Sequence, residues 1–290
     1  MLSLFASLLA AASFFTALPT PSASFDYGTI HVDRYGGGGK AIVFIPGLGC
    51  GPWSWSEQIA RFSKTNTVYA LTLDGFDGRP FVESPDPLAA FDRDFWSFAA
   101  AQHVSKPVVI GHSLGGTLGF ALAESHPERL AGVIALDGLP VFPMLAQSTD
   151  AQRTAAAGQM RAIAAESRDQ VLAYERGFMK QIGTTHDDLV EPLAQAAAKS
   201  DPRAIAAWGA ADLAADLRPG LAKASLPIEE LMPYAQPTPY TEAQTLAFYR
   251  MLLDGAPSAS VVPIDGARHF AMIDQPQAVD DAITQFLVSK

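Results

Sequence analysis

Ser113 stands in Gly111-His112-Ser113-Leu114-Gly115, a G-x-S-x-G pattern between a short β-branched run and an Ala/Leu/Gly-rich helical stretch. At a sharp strand-to-helix corner a serine hydroxyl is lifted above the sheet edge, and glycines on both sides remove side chains that would collide in the turn. The start of the following helix lies beneath it and offers unpaired amides to a developing negative charge. Such a serine is placed to attack a carbonyl carbon. An aliphatic hydroxyl is a weak nucleophile at neutral pH, so a base within hydrogen-bond reach must take its proton.

The elements needed to position that corner can be read from the periodicity. Residues 107–110 feed it as a strand, and residues 114–125 follow it as a helix that His126-Pro127 ends, because proline disfavours helical geometry in the residue before it. Further strands are expected over 27–33 at an edge, then 40–45, 67–73, 130–136, 227–233 and 259–264. Helices are expected over 91–103, 240–253 and 276–288. Between 141 and about 219 the pattern changes to alanine-rich helices broken near Gly183-Thr184 and Ser200-Asp201-Pro202. That block is too long and too helical for a single crossover. No internal repeat is visible.

The strand, G-x-S-x-G turn and helix, set in alternating strands and helices, resemble the α/β-hydrolase family over nearly everything after residue 25. The resemblance implies the α/β fold class, a mostly parallel sheet flanked by helices with an inserted helical cap. The core would then occupy residues 25–140 and 220–290, and the cap residues 141–219. It also implies site residues. Pro46-Gly47-Leu48-Gly49 fills the loop that carries the first half of the oxyanion hole, with Pro46-Gly47 where His-Gly is usual, so that Leu48 and Leu114 supply the two amides. His269, in Gly266-Ala267-Arg268-His269-Phe270 after the last strand, fills the histidine position and would be the base.

The third member departs from the commoner pattern. The usual acid position, in the loop over residues 234–239, holds no carboxylate, and Glu229 and Glu230 lie earlier, inside the strand. A minority arrangement of that family puts the acid after the strand that follows the helix over residues 114–125, where Asp137 stands. Asp137 is therefore the expected acid, with Glu229 or Glu230 by a local register change, or a Ser–His dyad completed by a carbonyl or water, as the other arrangements. Asp74 and Asp77 precede the serine, out of the family order of serine, acid, histidine, and read as loop residues. Cys50 reads as packing or pocket lining, and His31 as a strand residue.

These assignments imply a serine hydrolase, foremost a carboxylesterase acting through an acyl-enzyme on a small molecule with an apolar portion. Amide, lactone or C–C bond cleavage use the same three residues, and a ligand-binding member without turnover is the alternative of another class. No metal or organic cofactor is required. The chain of 290 residues has a formal charge of −10 and a pI near 5.0, which argues against nucleic acid, since a phosphate backbone needs a positive footprint. A single cysteine excludes an internal disulfide. Residues 1–24, apolar over 2–18 and then rich in Pro19, Pro21, Ser22 and Ser24, read as a signal peptide cut before Phe25, although no lysine or arginine precedes the apolar run. Export to the periplasm or medium follows from that reading, with a retained membrane anchor as the alternative. No later segment reads as a membrane span.

Overall fold

The computed structural model describes residues 17–289. Of the expected signal segment, residues 1–16 lie outside the described residues. Eight strands form one sheet in the order β1-β2-β4-β3-β5-β6-β7-β8. These are β1 Ala23–Tyr27, β2 Ile30–Gly36, β3 Ala41–Ile45, β4 Thr67–Leu73, β5 Val108–His112, β6 Gly132–Leu136, β7 Ile228–Tyr234 and β8 Ala259–Asp265. From β4 through β3 to β8 all neighbours run parallel, while β1, β2 and β4 pair antiparallel. The central strands β5 and β6 are buried along their whole length, as continuous apolar runs covered by helices on both faces must be.

The edge strand expected over residues 27–33 is instead a hairpin. Tyr27 pairs with Ile30 across a two-residue Gly28-Thr29 turn. The Asp94 carboxylate fixes that turn by accepting from the Thr29 amide at 2.8 Å and its hydroxyl at 3.0 Å. β1 begins at Ala23, and the Ser22 amide donates to the Arg34 carbonyl at 2.7 Å, so a cut before Phe25 would remove the first two residues of the strand.

Helices α1 Ser56–Phe62, α2 Pro87–Ala101 and α3 Leu114–Ser125 precede the inserted region. α2 starts four residues earlier than its aromatic spacing suggests. Asp86 caps it by accepting from the Ala89 amide at 3.0 Å, and Pro87 fits the first turn, where no N–H partner is needed. Between β6 and β7 lie α4 Asp150–Met160, α5 Arg168–Phe178, α6 Val190–Ala197, α7 Pro202–Ala214 and α8 Arg218–Leu221. α4 and α5 both open on capping boxes, Thr149 with Gln152 and Ser167 with Gln170. The two ends of this region meet at an antiparallel bridge between Val141 and Asp216. After β7 come α9 Glu242–Leu252, α10 Ala271–Asp274 and α11 Pro276–Val288.

Two apolar clusters sandwich the sheet. One gathers Phe91, Phe95 and Leu118 of α2 and α3, the other Ile59, Val279 and Ile283 of α1 and α11. α7 belongs to the inserted region by sequence but is rooted in the first cluster through Ile205 and Trp208. The Trp208 indole N–H donates to the Asp74 carboxylate at 3.1 Å, and the Val82 amide donates to the same side chain at 3.0 Å. Asp74 stands in the turn after β4, as expected of a loop residue, and also fastens the insertion to the core. Among the described residues no helix is long and apolar enough to cross a membrane.

Candidate active site

Adjacent parallel strands β5 and β6 are each followed at once by a non-glycine residue with positive φ. Ser113 has φ 52° and ψ −121°, and Asp137 has φ 49°. Backbone in this region is costly for an L-residue and persists only where its surroundings impose it. Here the sheet imposes it: the Ser113 amide donates to Leu136 O at 2.9 Å and the Asp137 amide to Leu231 O at 3.1 Å, so the parallel ladder continues into both strained residues. A close approach completes the arrangement. A side chain at Gly138 would come within 2.6 Å of Gly116 Cα and of the Ser113 carbonyl oxygen. Two glycines therefore let α3 settle against the end of β6, which brings the serine and the aspartate to one sheet edge.

The structure brings Asp137 and His269 into direct contact. His269 Nδ1 lies 2.5 Å from Asp137 Oδ2. An ionised carboxylate only accepts, so Nδ1 carries the proton and Nε2 keeps its lone pair. The other oxygen, Asp137 Oδ1, accepts from the Tyr249 hydroxyl of α9. Burial and the neighbouring carboxyls push the Tyr249 phenol well above its ordinary range, so it stays a donor. Of the two strand carboxylates that the sequence offers as other acids, Glu230 makes no hydrogen bond to His269. Glu230 is fully buried next to Asp137, where desolvation first and the Asp137 charge second hold its carboxyl well above the ordinary range, which keeps it neutral.

The loop carrying His269 is tied down on two sides. His112 Nε2 donates to the His269 carbonyl at 3.0 Å, and burial keeps that imidazole neutral. The His269 and Phe270 amides donate to Ile182 O at 3.1 Å and Gly183 O at 2.8 Å, at the end of the segment following α5. Asp274 locks the same seam, accepting from Thr184 Oγ1 at 2.5 Å and from the Arg268 amide at 2.8 Å. The Phe178 ring meets the His269 ring edge-on at 5.4 Å between centroids. The inserted region therefore packs directly on the histidine.

Ser113, Asp137 and His269 all line one cavity of about 450 Å³. Leu48 lines it as well, in the loop after β3, and Gly47 packs against Ser113 closely enough that a side chain there would lie 3.2 Å from Ser113 Cβ. The Leu114 amide is the first of α3, where no intrahelical acceptor exists. Cys50 faces the cavity beside Leu48, but complete burial raises its thiol well above the ordinary range, leaving it a protonated packing residue. Among the described residues no cluster of three or more His, Cys, Asp or Glu side chains could hold a metal ion.

Three residues in or beside the site carry no expectation from the sequence. Tyr249 lies in a helix whose periodicity does not reveal which face meets Asp137. Glu175 of α5 and Asp212 of α7 point from the insertion into the cavity, and desolvation raises them to about 7 and about 6 respectively.

Comparison with known proteins agrees with this architecture. The chain is 26% identical over 274 residues to the pimeloyl-[acyl-carrier protein] methyl ester esterase of Aeromonas hydrophila, covering 89% of this chain and 99% of that protein. It is 31% identical over 103 residues to the Abhydrolase domain-containing protein lid-1 of Caenorhabditis elegans, covering 34% of this chain and 29% of that one. Matches of this shorter kind span between 22% and 37% of the length of three such relatives. In structure it resembles the enol-lactonase of Burkholderia xenovorans LB400, with a TM-score of 0.72 at 21% identity over 92% of this chain and 100% of that one. The model of the "Alpha/beta hydrolase family" matches residues 42–282, and the chain belongs to that family.

Proposed function

We propose that this protein is a serine hydrolase that cleaves a carboxylic ester of a small or medium molecule with an apolar portion. The observation that carries the reading is the 2.5 Å contact of His269 Nδ1 with Asp137 Oδ2 at the wall of the cavity that Ser113 also lines. With its Nδ1 proton held by Asp137, His269 presents the Nε2 lone pair as general base. Ser113 Oγ gives its proton to Nε2 and attacks the carbonyl carbon. The negative oxygen of the tetrahedral intermediate is held by the Leu48 and Leu114 amides, each such donor being worth about 3 kcal/mol in the transition state. His269 then protonates the departing alcohol. A water deprotonated by the same imidazole releases the acid and restores the serine.

Apolar side chains dominate the cavity wall, among them Leu139, Val141, Met160 and Met179, which suits a hydrocarbon portion of the substrate. Ester rather than amide, lactone or C–C cleavage is supported by the methyl ester esterase relative, which aligns along 89% of this chain. Steady-state hydrolysis of p-nitrophenyl butyrate and of its anilide counterpart, p-nitrobutyranilide, tests the reading. Turnover of the ester well above the anilide, lost in Ser113→Ala, is expected. Turnover of neither, or ester turnover that survives Ser113→Ala, contradicts it.

A further inference from the structure

The cavity wall carries two side-chain carboxyls besides Asp137, and neither lysine nor arginine lines it. Glu175 is 8% exposed, and no hydrogen bond reaches its carboxyl from the described residues, although the group faces the cavity. Asp212, on a different helix, has only the Thr117 hydroxyl beside it, and the Leu139 carbonyl already accepts that hydroxyl at 3.1 Å. Among the described residues the other buried acids away from the cavity wall are bonded to protein donors, apart from Glu230, which lies beside Asp137 and does not line the cavity. Asp94 holds Thr29 and Arg93, Asp280 holds Gln58 and Arg61, and Asp274 holds Thr184 and the Arg268 amide. The large majority of buried polar side-chain atoms are satisfied by hydrogen-bond partners. Glu175 is not, and its open side is the substrate space.

Resting on the esterase reading above, we propose that the cavity selects substrates bearing a cationic amine, which the Glu175 and Asp212 carboxyls receive while the apolar wall takes the hydrocarbon portion. Without a ligand, burial makes ionisation of both carboxyls unfavourable, as their raised values of about 7 and about 6 record. A cationic nitrogen in the cavity supplies the missing opposite charge, and one that carries N–H supplies the missing donors as well. Phe142 and Phe178 also line the cavity, and an aromatic ring whose face meets a cation attracts it. An anionic substrate meets the reverse: three carboxyls, counting Asp137, with no lysine or arginine to offset them.

Two measurements near pH 8 test the proposal. In the first, benzylammonium and benzyl alcohol, similar in shape but one cationic and one neutral, are titrated by calorimetry into the wild type, Glu175→Gln and Asp212→Asn. The cation is expected to bind at least tenfold more tightly to the wild type, and that ratio to fall at least threefold in each variant. A wild type that binds the two equally, or prefers the alcohol, overturns the proposal whatever the variants do. In the second, kcat/KM is compared within two isosteric pairs. One pair is butyrylcholine with 3,3-dimethylbutyl butyrate, the other methyl 4-(trimethylammonio)butanoate with methyl 5,5-dimethylhexanoate. A preference of at least tenfold for the charged ester is expected in one pair, and a neutral preference in both overturns the proposal. If neither the esters of both pairs nor p-nitrophenyl butyrate is turned over, the hydrolase reading fails, while the calorimetric ratio still decides whether the cavity selects cations.

Discussion

The Tyr249 hydroxyl donates to one oxygen of the Asp137 carboxylate while His269 occupies the other at 2.5 Å. A carboxylate held at both oxygens cannot rotate, so the imidazole it orients is fixed as well. Hydrogen bonds to a charged group contribute about 1.5–3 kcal/mol. Tyr249→Phe leaves the shape of α9 intact and removes only that restraint. A loss of roughly tenfold in kcat is expected, the equivalent of about 1.4 kcal/mol. Steady-state kinetics on p-nitrophenyl butyrate checks it, and an unchanged kcat would show that Tyr249 does not restrain the acid.

Asp137 and Glu230 lie side by side, yet only Asp137 reaches the imidazole. Asp137→Asn is expected to lower kcat by about 10⁴-fold, because the amide no longer enforces the required imidazole tautomer. Glu230→Gln replaces a carboxyl already held neutral with an isostere, and kcat is expected to stay within a few-fold. Kinetics on the two purified variants separates them. The reverse order of losses would transfer the acid role to β7.

Stability should depend on pH through Glu175. Burial raises its folded value to about 7 from an ordinary 4.5, so between these limits the unfolded chain ionises first and binds fewer protons. Its contribution is fully present below pH 4.5 and is lost as pH rises through 7. Glu175→Gln removes the titration, so the difference in unfolding free energy should move in favour of the variant by on the order of 1–3 kcal/mol between pH 5 and pH 8. Urea unfolding of both proteins at the two pH values measures that difference. A constant difference would mean that the carboxyl is not desolvated.

Gly138→Ala would drive a methyl group to 2.6 Å from the Gly116 backbone and from the Ser113 carbonyl oxygen. Neither contact is a flexible side-chain end that could swing away. α3 must lift from β6, and a stability loss of about 1–3 kcal/mol is expected, typical of overpacking, together with collapse of esterase activity. Thermal unfolding and turnover of the variant report the two effects.

The corner around Ser113 was legible because its requirements are local: a buried strand, small residues at a tight turn and a helix that starts at once. The alternating strands and the helical insertion were legible for the same reason, since their periodicity follows from which face is buried. The hairpin at the start of the chain was not, because its turn is fixed by Asp94, 65 residues beyond Thr29. Likewise the rooting of α7 in the core depends on a bond between Trp208 and Asp74 that no periodicity encodes. Glu175 and Asp212 read as ordinary helical charges, and only packing reveals that they face the cavity rather than water. Asp137 was named through its position after β6, and the structure sets it against His269. Its strained backbone and its bond to Tyr249 are properties of the assembled sheet edge.

The central claim is that the Ser113 hydroxyl is made nucleophilic by His269, and covalent labelling measures it most directly. A fluorophosphonate mixed with the wild type and followed by intact-mass and peptide mass spectrometry should place one phosphonyl group on the Ser113 peptide. The adduct should be absent from Ser113→Ala and form at least a thousandfold more slowly in His269→Ala, by the scale of loss seen when a serine loses its base. A wild type left unmodified, or labelled at any other residue, would contradict the account.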